Sequence, residues 1–221
     1  MSDPSLIASN EPVTGFGRIS LRTLVPIRWV AIAGQALTIL IVHYGFGYRL
    51  PLVPALCVVA GSVLLNIVLI LLRHAAARLG ERSAALCLGY DILQLAILVY
   101  LTGGLQNPFS ILILAPVTVA ATILSRRPVI LLSGLAVAAI SVLAAWHLPL
   151  PWRTEQVVFP FALVIGLWIA LVLATVFIGA YTWSVAQEAR RLRDAVSATQ
   201  LALAREQRVS AVGALAAAAA H

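Results

Sequence analysis

The sequence predicts an all-α polytopic membrane protein, six transmembrane helices followed by a long cytoplasmic signalling helix that dimerises as a coiled coil. Three observations predict it. The 221 residues are 62% hydrophobic and only 10% charged, more apolar surface than a water-soluble domain of this length can cover. The apolar residues gather in six runs, each near the ~20 residues that cross a hydrocarbon core. The basic residues are fifteen Arg and no Lys, and they fall mainly in alternate connectors between those runs.

Residues 1–23 form a polar tail, mostly irregular through Ser20, with Pro4, Pro12, Gly15 and Gly17 breaking any regular element. Without an apolar h-region in the first twenty residues, no cleavable signal peptide is expected, and the first span both inserts the chain and stays. The six-helix transmembrane domain covers 24–183, with spans at 24–45, 52–72, 84–101, 109–124, 129–147 and 157–183. Pro51, Pro108, Pro128 and Pro160 fall at or within first turns, where a missing N–H costs little. The fourth span is short and contains Pro116. One set of connectors carries Arg18 and Arg22, then Arg73, Arg78 and Arg82, then Arg126 and Arg127, then Arg190, Arg191 and Arg193; the other carries Arg49 and Arg153. The Arg-rich side is therefore expected in the cytoplasm, with both termini.

Residues 184–221 contain no Pro and one Gly, Gly213. Val185, Ala189, Leu192, Val196, Thr199 and Leu203 recur at alternating spacings of four and three, an a/d seam that breaks at Glu206 and resumes at Val209 and Val212. An exposed seam of this kind calls for a parallel partner, here a second copy of the chain.

The net charge of +7 does not point to nucleic acid, because the Arg residues sit in short connectors and not on one shared face. Cys57 and Cys87 both fall inside spans near opposite faces of the bilayer, too far apart to bridge, and both are expected in the core. No metal site is expected from their spacing. The spans offer few polar residues, chiefly Arg28, Gln35, Asn66, Asp91 and Gln94. Asp91 lies about seven residues into its span, where a charge costs ~2.5–3.5 kcal/mol. Arg28 differs from it in depth by only ~5 Å. Arg28 and Asp91 are therefore the expected intramembrane ion pair between the first and third spans.

The connector after the third span reads GGLQNPF, Gly103 to Phe109. Gly103 and Gly104 suit a left-handed helix end, Asn107 an N-cap and Pro108 a first turn. The loop has no charged residue, which excludes acid–base chemistry. A site at the membrane–water boundary for a neutral lipid-soluble ligand would use the Asn107 amide, the Gly103 and Gly104 backbone and the Phe109 ring. The final run, Gly213 to His221, is alanine-rich and ends on a histidine, either the end of a linker or tag or a phospho-acceptor imidazole.

These features together resemble the RegB/PrrB redox-sensing membrane histidine kinases. Six spans with both ends inside match that family's membrane domain, GGLQNPF matches its GGxxNPF heptapeptide at every fixed position, and VGALAAAAAH is similar to the run into its H-box. The resemblance implies ubiquinone as the sensed ligand, with Gly103, Gly104, Asn107, Pro108 and Phe109 as quinone contacts. It implies a homodimer in the bacterial inner membrane and autophosphorylation at His221, the catalytic phospho-acceptor. It further implies phosphotransfer to a cognate response regulator, with ATP and Mg held in a catalytic domain that this chain is expected to lack. An alternative from the residues alone is a small six-span transporter or channel with a cytoplasmic dimerisation helix, against which stand the few polar residues and absence of paired acids in the spans.

Overall fold

The computed structural model describes residues 18–75, 78–149 and 159–219. Residue His221 lies outside them. Helix α1 (Leu21–Leu40) runs on through a π-helical turn at Ile41–Gly45, α2 spans Leu52–Ala75, and α3 spans Glu81–Leu101. A 3₁₀ turn at Gly104–Gln106 and a second at Pro108–Ile113 lead into α4 (Leu114–Ile123). Helix α5 spans Arg126–Ala145, and α6 is a single 59-residue helix, Phe161–Ala219. At ~1.5 Å per residue α6 is about 90 Å long, three times the thickness of a hydrocarbon core.

Five of these helices are long and apolar enough to cross a bilayer, and the sixth, Pro108–Ile123, is the short fourth span. The short span begins as 3₁₀ helix, whose larger rise per residue stretches sixteen residues further than an α-helix would. Apolar side chains face outward along its neighbours: Val30, Leu86, Leu131 and Phe161 are each more than 70% exposed. Only lipid makes such a surface tolerable.

Two of the prolines sit where a missing N–H is harmless, whereas Pro26 lies inside α1. Pro51 and Pro160 precede α2 and α6, and their carbonyls accept from Ala55 N (3.1 Å) and Leu163 N (2.9 Å). The expected irregular tail is corrected at its end. Arg18–Ser20 forms a strand, β1, paired antiparallel with β2 (Arg78–Gly80), the connector between α2 and α3. Backbone groups just outside the bundle satisfy each other there, a pairing that sequence periodicity cannot show over three residues.

Helix α3 is the shared element of two packing units. With α4, α5 and α6 it encloses the main core, in which Ile92, Ile113, Val117, Leu124 and Ile140 are fully buried. Ala84, Ala120, Ala121 and Ala136 are also at zero exposure, and a Cβ on Gly179 of α6 would lie 3.2 Å from Ser133 Oγ and 3.5 Å from Val117. Small residues at these crossings let helices approach closely, which is how helices associate where lipid removes the hydrophobic drive. On its other side α3 receives the α1–α2 hairpin through two smaller clusters, Val25–Leu69–Cys87 and Ile32–Ile39–Ala55–Val59–Leu98. Cys87 is buried as expected. Cys57 is exposed and so corrects the expectation of a core residue, because its side of α2 meets no other helix. Both thiols are free.

At the end of the bundle where α3 starts, three helix ends are tied. Glu81 accepts a 2.6 Å hydrogen bond from Ser125 N at the start of α5, and Arg190 of α6 donates a 2.6 Å bond to Thr122 O at the end of α4. Beyond that point α6 continues alone among the described residues, with Leu192, Val196 and Leu203 of the seam each 55–60% exposed.

Candidate ligand site

The GGLQNPF loop is built from its backbone outward. Helix α3 ends at Thr102, whose hydroxyl donates to Leu98 O at 2.7 Å. Gly103 (φ 112°) and Gly104 (φ 58°) then take the left-handed geometry that turns the chain back. A Cβ on Gly104 would clash with the Cβ and ring of His147, so this glycine is required by space as well as by φ. His147 follows α5, and its neighbour Leu148 donates its N–H to Tyr100 O at 3.0 Å, pinning the chain just after α5 onto the last turn of α3.

Asn107 organises the second half. Its Oδ1 accepts from Phe109 N at 2.9 Å, capping the helix that Pro108 begins. Its Nδ2 donates to Thr102 Oγ1 at 2.6 Å and to Thr102 O at 3.3 Å. Both amide hydrogens are thus engaged within the loop itself.

Beneath the loop lies a cavity of about 710 Å³, bounded by α1, α3 and the start of α4. Its volume is that of a small-molecule site. Asn107, Pro108 and Phe109 line it. Gly103 and Gly104 do not line it: both are buried, and the left-handed turn sets Gly104 against the His147 side chain. Thr102, Gln106, Tyr48 and Gln35 line it and were not singled out as ligand contacts from the sequence. Their amides and hydroxyls were visible there, but neighbourhood across helices was not. The walls between these polar groups are apolar, among them Ile39, Val42, Leu95 and Leu98. Such a space suits a neutral, largely apolar ligand with one or two hydrogen-bonding oxygens.

Below the cavity the α1–α3 seam carries two polar contacts. Gln35 and Gln94 exchange amide hydrogen bonds, at 2.9 Å from Gln94 Nε2 and 3.4 Å from Gln35 Nε2. Two turns back along α1, Arg28 Nη1 donates to Asp91 Oδ2 in an ion pair whose side chains are 7% and 19% exposed. Among the described residues no group of three or more His, Cys, Asp and Glu converges as a metal site.

A helical bundle with an apolar cavity at one end, and one helix running far out of the other, defines a polytopic membrane domain with a long helical extension. More narrowly, the chain belongs to the PilS-like transmembrane domain family, whose model matches residues 25–195. It is 40% identical over 202 residues, 91% of the chain, to sensor histidine kinase RegB of Cereibacter sphaeroides, and equally identical over 204 residues to RegB of a further strain of that species. The chain spans 44% of the length of each of these relatives. No solved structure matches it significantly. The resemblance to RegB-type membrane sensors therefore extends across nearly the whole chain.

Proposed function

We propose that this chain is the sensor part of a two-component, redox-responsive histidine kinase of the bacterial inner membrane, with a membrane quinone as its signal. One observation carries the reading. The GGLQNPF loop, shared as a motif with the RegB/PrrB kinases, roofs a 710 Å³ apolar cavity and continues directly into α4. The Arg-rich end of the bundle, where α6 leaves, is then cytoplasmic.

The geometry supports a route for the signal. Phe109, Leu112 and Ala115 line the cavity, and Arg190 of α6 grips the last turn of the same short α4 at Thr122 O. A ligand that shifts α4 therefore acts on α6 at the membrane exit. It biases two packings only by its differential affinity for them, and a ~1.4 kcal/mol difference between quinone and quinol shifts the ratio about tenfold. Paired through the Val185–Leu203 seam of two copies, α6 passes the change to the phosphorylation site. The resemblance assigns that site to His221, which takes the phosphoryl group of Mg-bound ATP from a catalytic domain and passes it to an aspartate of the response regulator.

The test is a titration of the protein in lipid nanodiscs with decylubiquinone, alongside mass spectrometry of co-purified lipids. Asn107→Ala and Phe109→Ala should weaken binding about tenfold while the spans stay folded by circular dichroism. Equal affinity in both variants would remove the loop from the mechanism.

A further inference from the structure

We infer that the reciprocal amide pair Gln35–Gln94 is the deep end of the ligand site and exchanges a hydrogen bond with one headgroup oxygen, so that it distinguishes quinone from quinol. The inference deepens the quinone reading above and rests on it.

The loop supplies polar groups only at the upper rim of the cavity, Gln106 and Asn107. Asn107 directs its Nδ2 to Thr102 and one lone pair of its oxygen to Phe109 N, which leaves it no donor for a ligand carbonyl. Gln35 is differently placed. It lines the cavity on the α1 side, and its own donor reaches Gln94 at only 3.4 Å, at the long limit of a hydrogen bond. Gln94 is 4% exposed and holds Gln35 Oε1 at 2.9 Å, fixing the Gln35 amide plane from behind. In a cyclic amide pair each partner uses one N–H and one lone pair, which leaves Gln35 a second N–H and a second lone pair. A quinone carbonyl can only accept, whereas a quinol hydroxyl both donates and accepts, so the two redox states engage this amide differently.

Placement also fits. Gln35 lies ten residues before Gly45, about 15 Å below the outer end of α1. A headgroup seated there occupies the apolar stretch between Ile39 and Leu98, and its tail leaves past Leu112, which is 41% exposed on the lipid side. Two amides at that depth are costly in hydrocarbon unless matched, and the pair matches them while keeping bonding capacity towards the cavity.

The experiment compares decylubiquinone and anaerobically reduced decylubiquinol on the protein in nanodiscs, for the unaltered chain, Gln35→Leu and Gln35→Leu with Gln94→Leu. The double variant leaves no unmatched amide and so decides the question if the single one unfolds. Loss of one buried hydrogen bond should lower decylubiquinone affinity up to about tenfold in the variants and bring the quinone-to-quinol affinity ratio close to one. Infrared spectra of bound decylubiquinone add a readout that a merely structural role would not move: one carbonyl band should lie at lowered frequency in the unaltered protein and return to the free value in the variants. Unchanged affinity ratio and unchanged carbonyl band in a folded variant, or a free-value band in the unaltered protein, would overturn the inference and leave the quinone reading standing. No decylubiquinone binding by the unaltered protein would overturn both.

Discussion

Replacing Asp91 by Asn removes the counter-charge of Arg28 while keeping the size of the side chain. Arg28 lies at 7% side-chain exposure, and its Nε and Nη2 have no partner among the described residues, so Asp91 is the guanidinium's ion-pair partner there. Breaking a buried pair from one side typically costs ~3–5 kcal/mol. Here the cost is lower, about 2–3 kcal/mol, because Arg28 is only three residues past Val25 and can extend toward the near headgroups. For a chain of this size each kcal/mol moves the thermal midpoint by roughly 2–4 °C. Asp91→Asn should therefore lower the midpoint in detergent by about 5–10 °C, followed by circular dichroism. The double variant Arg28→Leu with Asp91→Leu should recover most of the loss, since well-packed apolar replacements for a buried ion pair are often neutral. A double-mutant cycle with Asp91→Leu and Arg28→Leu then gives the coupling directly. A coupling near zero, with Asp91→Asn melting like the parent, would refute the reasoning that this pair fixes α1 against α3.

Two further outcomes follow from the geometry. Gly104→Ala places a methyl within 2.6 Å of the His147 ring at φ 58° and should destabilise the protein by about 1–2 kcal/mol, a loss partly relieved by adding His147→Ala in the same melting assay. Arg190→Ala removes the bond to Thr122 O and should leave decylubiquinone affinity within about twofold of the parent, while autophosphorylation of the full-length protein loses its quinone response; an intact response would exclude this contact from transmission.

The spans were legible because lipid imposes a length and forbids unpaired backbone, so apolar runs, proline positions and Arg placement converge on the same boundaries. Asn107 and Pro108 were legible as a cap and a first turn because both roles depend on a few consecutive residues. Relations between helices were less so. The depth argument anticipated Arg28 with Asp91, since only one acid lies well inside the spans. It gave no reason to join Gln35 to Gln94, or to set Gly104 against His147, because neutral polar residues and glycines carry no rule for choosing distant neighbours. The β1–β2 pairing was hidden for a related reason: three residues are too few for an alternation to register.

Helix α6 has no proline, and between Gly179 and Gly213 no glycine, so nothing in its sequence provides a swivel between bilayer and cytoplasm. A shaft of that kind conveys angle together with displacement. Each added or deleted residue would turn everything downstream by about 100°, whereas a change of seven would nearly restore the original heading. The distance between sensing and output ends is thereby free to vary in steps of two turns, and in little else.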